Sequence, residues 1–257
     1  MKKLKSPLPW VGGKRLLREK IISLIPDHTC YAEVFAGGAW VYWGKEPSQV
    51  EVINDIDSNL TNLYKHIQKD PEAFYEKVWC LLSSREEYHR YIKILKEKPH
   101  ELSDLDRAVY YFHIIKNAFG GRFDSGFAFS KVRPPRSRIT YETLIGLSER
   151  LQNTYIDNLP YDRIIKNYDS KDTFFYCDPP YVVADGKTYY KHSFTEEMHI
   201  DLRDRLANIE GKFLLSYDDV PLIRKLYKGF KIEETEPVRY TLSQKHQYKR
   251  ELLIRNY

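Results

Sequence analysis

The chain has 257 residues, 42% of them hydrophobic and 30% charged, with a net charge of +5 and a pI near 8.8. No stretch approaches the ~20 apolar residues that span a bilayer, and Pro7, Pro9 and Gly12 follow the basic N-terminus where a signal peptide would be apolar. We therefore expect a cytoplasmic protein with one large core, or a catalytic domain with a smaller inserted one. The mild positive charge permits nucleic acid as a partner without requiring it.

The cysteines and aromatic residues further narrow the class of protein that the composition allows. Cys30, Cys80 and Cys177 lie far apart without metal-ligand spacing, so we expect reduced core residues and no metal site. Aromatic residues make up 14% of the chain, with 21 tyrosines. Mixed with Lys and Arg they suit stacking on bases beside phosphate contacts, although packing is the simpler role for any single one.

Residues 1–65 alternate helical and strand patterns. Apolar residues recur at helical spacing over 15–25, and short apolar runs at 31–35 and 50–53 are typical of strands. The middle of the chain, residues 66–160, differs because three of its segments have the pattern of helices: 71–82, 85–95 and 104–116. A loop rich in Gly, Arg and aromatic residues then runs from 119 to 138.

The alternation resumes after residue 160. Apolar runs at 173–177 and 212–217 are typical of buried strands, a helical pattern lies between them at 196–209, and 230–257 resembles a strand pair. This order predicts an α/β fold with a doubly wound, mostly parallel sheet built from residues 1–65 and 161–257. Residues 66–160 would form a largely helical inserted domain. Ligands of such sheets bind beyond the carboxyl ends of the strands.

One strand end carries Glu33-Val34-Phe35-Ala36-Gly37-Gly38. Adjacent glycines after a strand allow a tight turn and close approach to a ligand, although the same pair also occurs in simple turns. About 20 residues on, Val52-Ile53-Asn54-Asp55 ends in an acid, where such folds bind ribose hydroxyls. Because the glycines lack G-x-G-x-x-G spacing, the pattern favours a nucleoside ligand other than a dinucleotide.

A second strand end carries Asp178-Pro179-Pro180-Tyr181. Each proline fixes φ and has no N–H, so the loop is stiff and offers acceptors: the Asp178 carboxylate and backbone carbonyls. Such acceptors suit an amine with two hydrogens, and Tyr181 adds a flat face on which a base can stack. A proline turn that merely ends the strand is the alternative.

Six segments in order resemble the Dam-like (alpha-group) adenine-N6-specific DNA methyltransferase family, in which a target-recognition insert separates the cofactor motif from the catalytic motif. They are Pro9-Trp10-Val11-Gly12-Gly13-Lys14, residues 33–38, Asn54-Asp55-Ile56-Asp57, Asp178-Pro179-Pro180-Tyr181, Ser193-Phe194-Thr195 and Glu251-Leu252-Leu253-Ile254. The resemblance covers most of the chain outside the insert. It implies a Rossmann-like class I methyltransferase fold and S-adenosyl-L-methionine as cofactor, released as S-adenosyl-L-homocysteine.

The resemblance also implies roles for individual residues. Asp55 would bind the cofactor ribose, and the glycine loop would pack beside the methionine moiety. An aspartate at the first position of the catalytic motif points to adenine N6 as the acceptor. The implied cofactor contacts are Trp10, Lys14, Phe35, Gly37, Gly38, Asp55 and Asp178.

The implied catalytic residues are Asp178, Pro179, Pro180 and Tyr181. Adenine N6 is a poor nucleophile and is paired in duplex DNA, so the base must be flipped out at a cost of a few kcal/mol. Asp178 and the Pro179 carbonyl are expected to accept the two N6 hydrogens. Tyr181 would stack on the base while the nitrogen attacks the methyl group in line.

The insert would read the sequence of double-stranded DNA. Here the chain departs from the family. GATC-reading members have Asn-Gly followed by a longer Arg-Tyr-Asn hairpin, whereas this chain has Gly120-Gly121. The DNA sequence that the chain recognises is therefore left open. Trp40 also replaces a residue that is usually small. Candidate DNA contacts are Asn117, Arg122, Lys131, Arg133, Arg136 and Arg138, with a second basic patch at Lys245, His246, Lys249 and Arg250. A solvated basic loop is the alternative for each of them.

The expected partner is double-stranded DNA, with no membrane and no obligatory protein partner. A cognate restriction endonuclease would fit a restriction–modification role, and phage-encoded and free-standing enzymes fit equally well. The alternative functions are an amino methyltransferase acting on RNA or protein, and a catalytically silent DNA-binding homologue. A nicotinamide-dependent dehydrogenase is disfavoured by the missing glycine spacing.

Overall fold

A computed structural model describes residues 4–123, 125–132, 139–182, 194–240 and 247–257, with the backbone alone for 238–240 and 247–249. The strands are β1 (Cys30–Glu33), β2 (Val50–Asn54), β3 (Thr154–Asp157), β4 (Thr173–Cys177), β5 (Lys212–Asp218), β6 (Lys231–Glu234), β7 (Val238–Tyr240), β8 (Gln247–Lys249) and β9 (Glu251–Arg255). The helices are α1 (Arg18–Ile22), α2 (Ser58–Lys69), α3 (Pro71–Trp79), α4 (Arg85–Glu97), α5 (Asp104–Asn117), α6 (Tyr141–Leu151), α7 (Tyr161–Tyr168), α8 (Glu196–Ala207) and α9 (Pro221–Leu226), with 3₁₀ turns at Pro99–Glu101 and Phe119–Gly121.

Seven strands form one sheet in the order β3-β2-β1-β4-β5-β9-β6, and β7 pairs with β8 in a separate hairpin. Strands β1 to β5 are parallel, while β9 runs antiparallel between β5 and β6. The predicted Rossmann-like, mostly parallel sheet is confirmed. Its strand order reverses between β1 and β4, so the carboxyl ends of these two strands flank a crevice. The predicted strand pair at 230–257 is in fact four strands.

Strand β4 shows why the sheet is buried on both sides. Side chains alternate between the two faces of a strand. Phe174 and Tyr176 join one core cluster, whereas Phe175 and Cys177 join the other, and all four are almost fully buried. A continuous apolar run is therefore required here, as in other parallel sheets covered by helices on both faces.

Helices α2 to α6 connect β2 to β3 and cover one face of the sheet. Four of their residues, Leu63, Phe112, Ile114 and Leu147, belong to the same buried cluster as Phe174 of the sheet. The helices begin at side chains that accept a hydrogen bond from a backbone N–H of the first turn, which satisfies part of the helix end. These caps are Asp57, Asp70, Ser84, Ser103 and Thr140.

The sheet extends into the predicted insert. Thr154–Asp157 falls within residues 66–160, yet it forms β3 and pairs with β2 at the sheet edge. Its pattern alternates buried and exposed residues, with Tyr155 61% exposed, so it lacks the apolar run of a central strand. Helix α2 also crosses the predicted boundary at residue 65.

Two further sequence expectations concern membranes and cysteines. Among the described residues, no helix has the length and apolar character needed to cross a membrane. Cys177 is buried and Cys30 half-buried, but Cys80 is exposed. The expectation of a core position is wrong for Cys80, because it follows the last residue of α3 at the surface.

A buried ionic network joins the helical region to the sheet. Glu51 of β2 accepts hydrogen bonds from the guanidinium of Arg150 in α6 and, at 2.5 Å, from the Lys45 ammonium. Arg150 also donates to the Tyr42 hydroxyl at 3.0 Å. Burial would raise the pKa of Glu51, but the Arg150 and Lys45 charges hold it below its usual range.

Replacing Arg150 by Ala should lower the free energy of unfolding by about 3–5 kcal/mol, because it leaves the Glu51 carboxylate buried beside a single cation. Denaturation in urea measures the change. Arg205→Ala is the matched control: Arg205 pairs with Asp201 at 2.7 Å on the surface of α8, and its loss should cost about 0.2–0.5 kcal/mol. Equal losses in the two variants would contradict this prediction.

Candidate active site

A cleft lies where the sheet order reverses. Glu33 of β1 and Tyr176 of β4 are paired in register, so the loops that follow the two strands face each other. The space between them opens to solvent. It is lined by Trp10, Val11, Gly13, Lys14, Glu33, Phe35, Ala36, Gly37, Gly38, Ala39, Trp40, Val41, Tyr176 and Asp178. The structure therefore brings together the predicted Trp10, Lys14, Phe35, Gly37, Gly38 and Asp178.

The glycine loop is shaped around Trp10. Gly37 has φ +48°, and a Cβ there would lie 2.5 Å from Trp10 Nε1. A Cβ on Gly38 would lie 2.8 Å from Trp10 Cβ. The Tyr64 hydroxyl donates to the Gly37 carbonyl at 2.6 Å, which fixes the turn from the insert side. Side chains at these glycines would therefore displace the indole from the cleft.

Asp55 supports the same loop from the end of β2. Its Oδ2 accepts a hydrogen bond from the Gly37 N–H at 2.9 Å, and its Oδ1 accepts one from the Asp57 N–H at 2.9 Å. The Asn158 side chain donates to the Asp55 carbonyl at 2.7 Å. These hydrogen bonds hold Asp55 beside the glycine loop, next to the cleft. The sequence alone did not predict them.

Phe35 belongs to an aromatic group at one side of the cleft. Its ring centroid lies 5.8 Å from that of Tyr161 and 5.8 Å from that of Phe194. Phe194 precedes the N-cap of α8, Thr195, whose side chain accepts from the Met198 N–H. Ser193 of the same predicted segment lies outside the described residues. These rings give the cleft an apolar wall.

Asp178 sits at the end of β4 with an ammonium group beside it. Lys14 Nζ lies 2.7 Å from Asp178 Oδ1, and the Ser216 hydroxyl donates to the same oxygen at 2.9 Å. The Lys14 side chain is 3% exposed and also donates to the Gly12 carbonyl at 2.8 Å. Sequence reasoning missed Ser216, because it is a single polar residue in the apolar strand β5.

The predicted catalytic motif reaches β9 through Tyr181. Pro179 is buried and Pro180 half-buried. The Tyr181 hydroxyl donates to Glu251 Oε2 at 2.8 Å, and the Lys14 ammonium lies 4.8 Å from the centre of the Tyr181 ring. The aromatic side chain is therefore held at both its hydroxyl and its ring.

Glu33 is a second acid in the cleft to which sequence reasoning gave no role. Its Oε2 accepts hydrogen bonds from the Tyr31 hydroxyl at 2.7 Å and the Tyr42 N–H at 3.0 Å. Burial raises the pKa of Glu33 to about 8, against the two hydrogen bonds that lower it. A cation that enters the cleft would favour the ionised carboxylate.

The predicted DNA contacts divide into described and undescribed residues. Arg122 is half-buried and Lys131 exposed, whereas Asn117 is buried and donates to the His113 carbonyl at 2.9 Å. The Asn117 side chain thus completes the end of α5, and its DNA contact stays a prediction. Arg133, Arg136, Arg138, Lys245 and His246 lie outside the described residues, Lys249 is described by its backbone alone, and Arg250 lies 3.4 Å from Glu234.

The loop after α5 reaches the cofactor motif. Ala118 and Phe127 form an antiparallel bridge, and Gly120 and Gly121 have φ of +69° and +70°. A Cβ on Gly121 would lie 2.0 Å from the Pro9 carbonyl oxygen, so the two backbones touch. The segment next to Trp10 is therefore in direct contact with the predicted DNA-reading loop.

Comparison with known proteins identifies the family of this chain. Residues 10–241 match the family model of the D12 class N6 adenine-specific DNA methyltransferases. The chain is 28% identical to the type II methyltransferase M1.LlaDCHI of Lactococcus lactis subsp. cremoris over 90% of this chain and 87% of that protein. It is 28% identical to the retron Ec67 DNA adenine methylase of Escherichia coli, over 87% and 80% of the two chains.

A third relative, the DNA adenine methylase of Salmonella typhi, is 25% identical over 90% of this chain and 87% of its own length. The family match spans both cleft motifs and the helices between them. The chain belongs to the D12 class of N6 adenine-specific DNA methyltransferases.

Proposed function

We propose that this S-adenosylmethionine-dependent enzyme methylates N6 of an adenine flipped out of double-stranded DNA, with Asp178 at the reacting nitrogen. The observation that carries this assignment is the position of Asp178. It ends β4 beside the glycine loop of β1 and lines the cleft with Trp10 and Lys14. A carboxylate at the junction of a nucleoside cleft and a stacking tyrosine suits an amine substrate.

The residues of the cleft fit S-adenosylmethionine. The aromatic walls of Trp10, Phe35 and Trp40 suit an adenosyl ring and a sulfonium group. The carboxyl group of Glu33 suits the positive charges of the cofactor. Asp55, held beside the glycine loop, is the proposed ribose ligand, and Lys14, Gly37 and Gly38 are the remaining proposed contacts. When bound, the cofactor supplies an electrophilic methyl group and leaves as S-adenosylhomocysteine.

The carboxylate of Asp178 is oriented for its proposed task. Among the described residues, Lys14 and Ser216 both bond Oδ1, which leaves Oδ2 as the acceptor for one N6 hydrogen. The Pro179 carbonyl would accept the other. With both hydrogens engaged, the nitrogen lone pair would be available for methylation, and Asp178 Oδ2 would take up the N6 proton that the reaction releases. Catalysis would come from position and preorganised charge. Pro180 stiffens the loop, and Tyr181 stacks on the base.

The helical region, including the loop after α5, is the proposed DNA-reading part. Arg122 and Lys131 are proposed to contact phosphates, together with the undescribed Arg133, Arg136 and Arg138. The relatives include type II methyltransferases and DNA adenine methylases, so a cognate restriction endonuclease in the same cytoplasm is a partner that we propose for a restriction–modification role.

Asp178→Asn should lower methyl transfer at least 100-fold. The substitution replaces a negatively charged acceptor with a neutral amide, which presents either an N–H donor or an uncharged acceptor to the amine. Transfer of a tritiated methyl group to unmethylated DNA measures the rate, and circular dichroism checks the fold. Asp172→Asn, at the exposed opposite end of β4, should keep the wild-type rate. A fully active Asp178→Asn enzyme would exclude the proposed role.

Gly37→Ala should weaken S-adenosylmethionine binding at least tenfold, because the new Cβ displaces the Trp10 indole and strains a backbone at φ +48°. Isothermal titration measures the dissociation constant. Gly229→Ala is the matched control, since a Cβ there meets nothing within 4 Å. Unchanged affinity in the Gly37 variant would place the cofactor elsewhere.

Methylation-sensitive sequencing of DNA from cells that express the enzyme should find N6-methyladenine at one short sequence. Cells that express Asp178→Asn are the control and should carry none at that sequence. This measurement also reads the recognition site directly. Methylated cytosine, or methyl transfer confined to RNA or protein, would contradict the proposal.

A further inference from the structure

Glu251 is a buried carboxylate at the start of β9, opposite Asp218 of β5. Its side chain is 2% exposed. The Glu251 N–H donates to Thr235 Oγ1 at 2.9 Å, and its carbonyl accepts from the Thr235 N–H at 2.9 Å. The backbone of Glu251 is thus fixed by pairing on both sides, and its carboxyl group points toward the catalytic motif.

Two contacts link this carboxyl group to the proposed active site. Oε2 accepts the hydrogen bond of the Tyr181 hydroxyl at 2.8 Å and lies 3.8 Å from Lys14 Nζ. The same ammonium is 2.7 Å from Asp178. Burial raises the pKa of Glu251, the Lys14 charge opposes that rise, and the Asp178 charge adds to it. A buried acid of this kind is costly unless its partners compensate for its burial.

We infer that Glu251 is a positioning residue for methyl transfer, which fixes the ring of Tyr181 and shares the Lys14 ammonium with Asp178. This inference rests on the proposed roles of Asp178 and Tyr181. The phenol can rotate about its side-chain bonds, and the hydrogen bond to Glu251 selects one orientation of the ring. A target adenine stacked on that ring is then held in line with the methyl group, where a misplacement of about 1 Å can cost 10²-fold in rate.

Single-turnover methyl transfer, at saturating DNA and S-adenosylmethionine, tests the inference with two variants. Tyr181→Phe keeps the ring and removes the hydrogen bond; Glu251→Val removes the acceptor and suits a buried strand. Each should slow transfer about tenfold or more, while the dissociation constant of S-adenosylmethionine stays within threefold of wild type. Glu251→Gln keeps an acceptor oxygen for Tyr181 and should recover a rate between Glu251→Val and wild type.

The double variant, Tyr181→Phe with Glu251→Val, separates a positioning role from a general loss of structure. If the hydrogen bond is the link, Tyr181→Phe should add less than twofold to the loss in Glu251→Val. Glu234→Val is the matched control, because Glu234 lies on the neighbouring strand β6 with its carboxylate paired at the surface, and it should keep the wild-type rate. If Glu251→Val fails to fold, the rates of Tyr181→Phe and Glu251→Gln still test the inference.

Rates within twofold of wild type for Tyr181→Phe and Glu251→Val would overturn the inference and leave the proposed function intact. Losses that multiply in the double variant would overturn it as well. A wild-type enzyme that transfers no methyl group to DNA would instead overturn the proposed function.

Discussion

The buried ammonium of Lys14 is the group on which the proposed active site depends. A charge with 3% exposure needs anionic or carbonyl partners, because its transfer from water costs several kcal/mol. Lys14 finds them in Asp178 after β4, Glu251 of β9 and the Gly12 carbonyl of its own segment. Three parts of the chain that are distant in sequence are thereby joined at one atom. Removing Lys14 would leave the Asp178 and Glu251 carboxyl groups without the ammonium that they share.

The helical region, α2 to α6, is bound both to the sheet and to the cleft. Its buried residues share one cluster with the sheet, and Arg150 of α6 is tied to Glu51 of β2 through a buried ion pair. On the cleft side, Tyr64 of α2 holds the Gly37 carbonyl, and Gly121 touches the Pro9 carbonyl. The region proposed to read DNA is therefore in contact with both segments that shape the cofactor cleft.

Much of this architecture could be predicted from local sequence patterns. The apolar runs located β2, β4 and β5 to within a residue at each end, since strands buried on both faces have continuous apolar sequence. The motifs at Gly37 and Asp178 located the cleft, because parallel strands bring their carboxyl ends to one edge, and the family resemblance added Trp10.

The features that the sequence did not predict depend on partners far along the chain. Strand β3 is a half-exposed edge strand that, among the described residues, pairs with β2 alone, about a hundred residues earlier. Ser216 is a single polar residue in an apolar strand, and Glu251 lies in a predicted family segment without an assigned role. Their contacts with Asp178 and Tyr181 appear only when β5 and β9 lie near β4. The hydrogen bond by which the Asn117 amide completes the end of α5 likewise appears only in the structure.

Strand β9 has a consequence for the order in which the molecule is assembled. It lies between β5 and β6 in the sheet, yet it follows both of them along the chain. During synthesis, β5 and β6 emerge before the strand that separates them, so each exposes an unpaired edge until residues 251–255 leave the ribosome. Unpaired strand edges are prone to mispairing and aggregation. The nascent chain is thus vulnerable to mispairing until β9 emerges, and the closing of the sheet coincides with the arrival of Glu251 beside Tyr181.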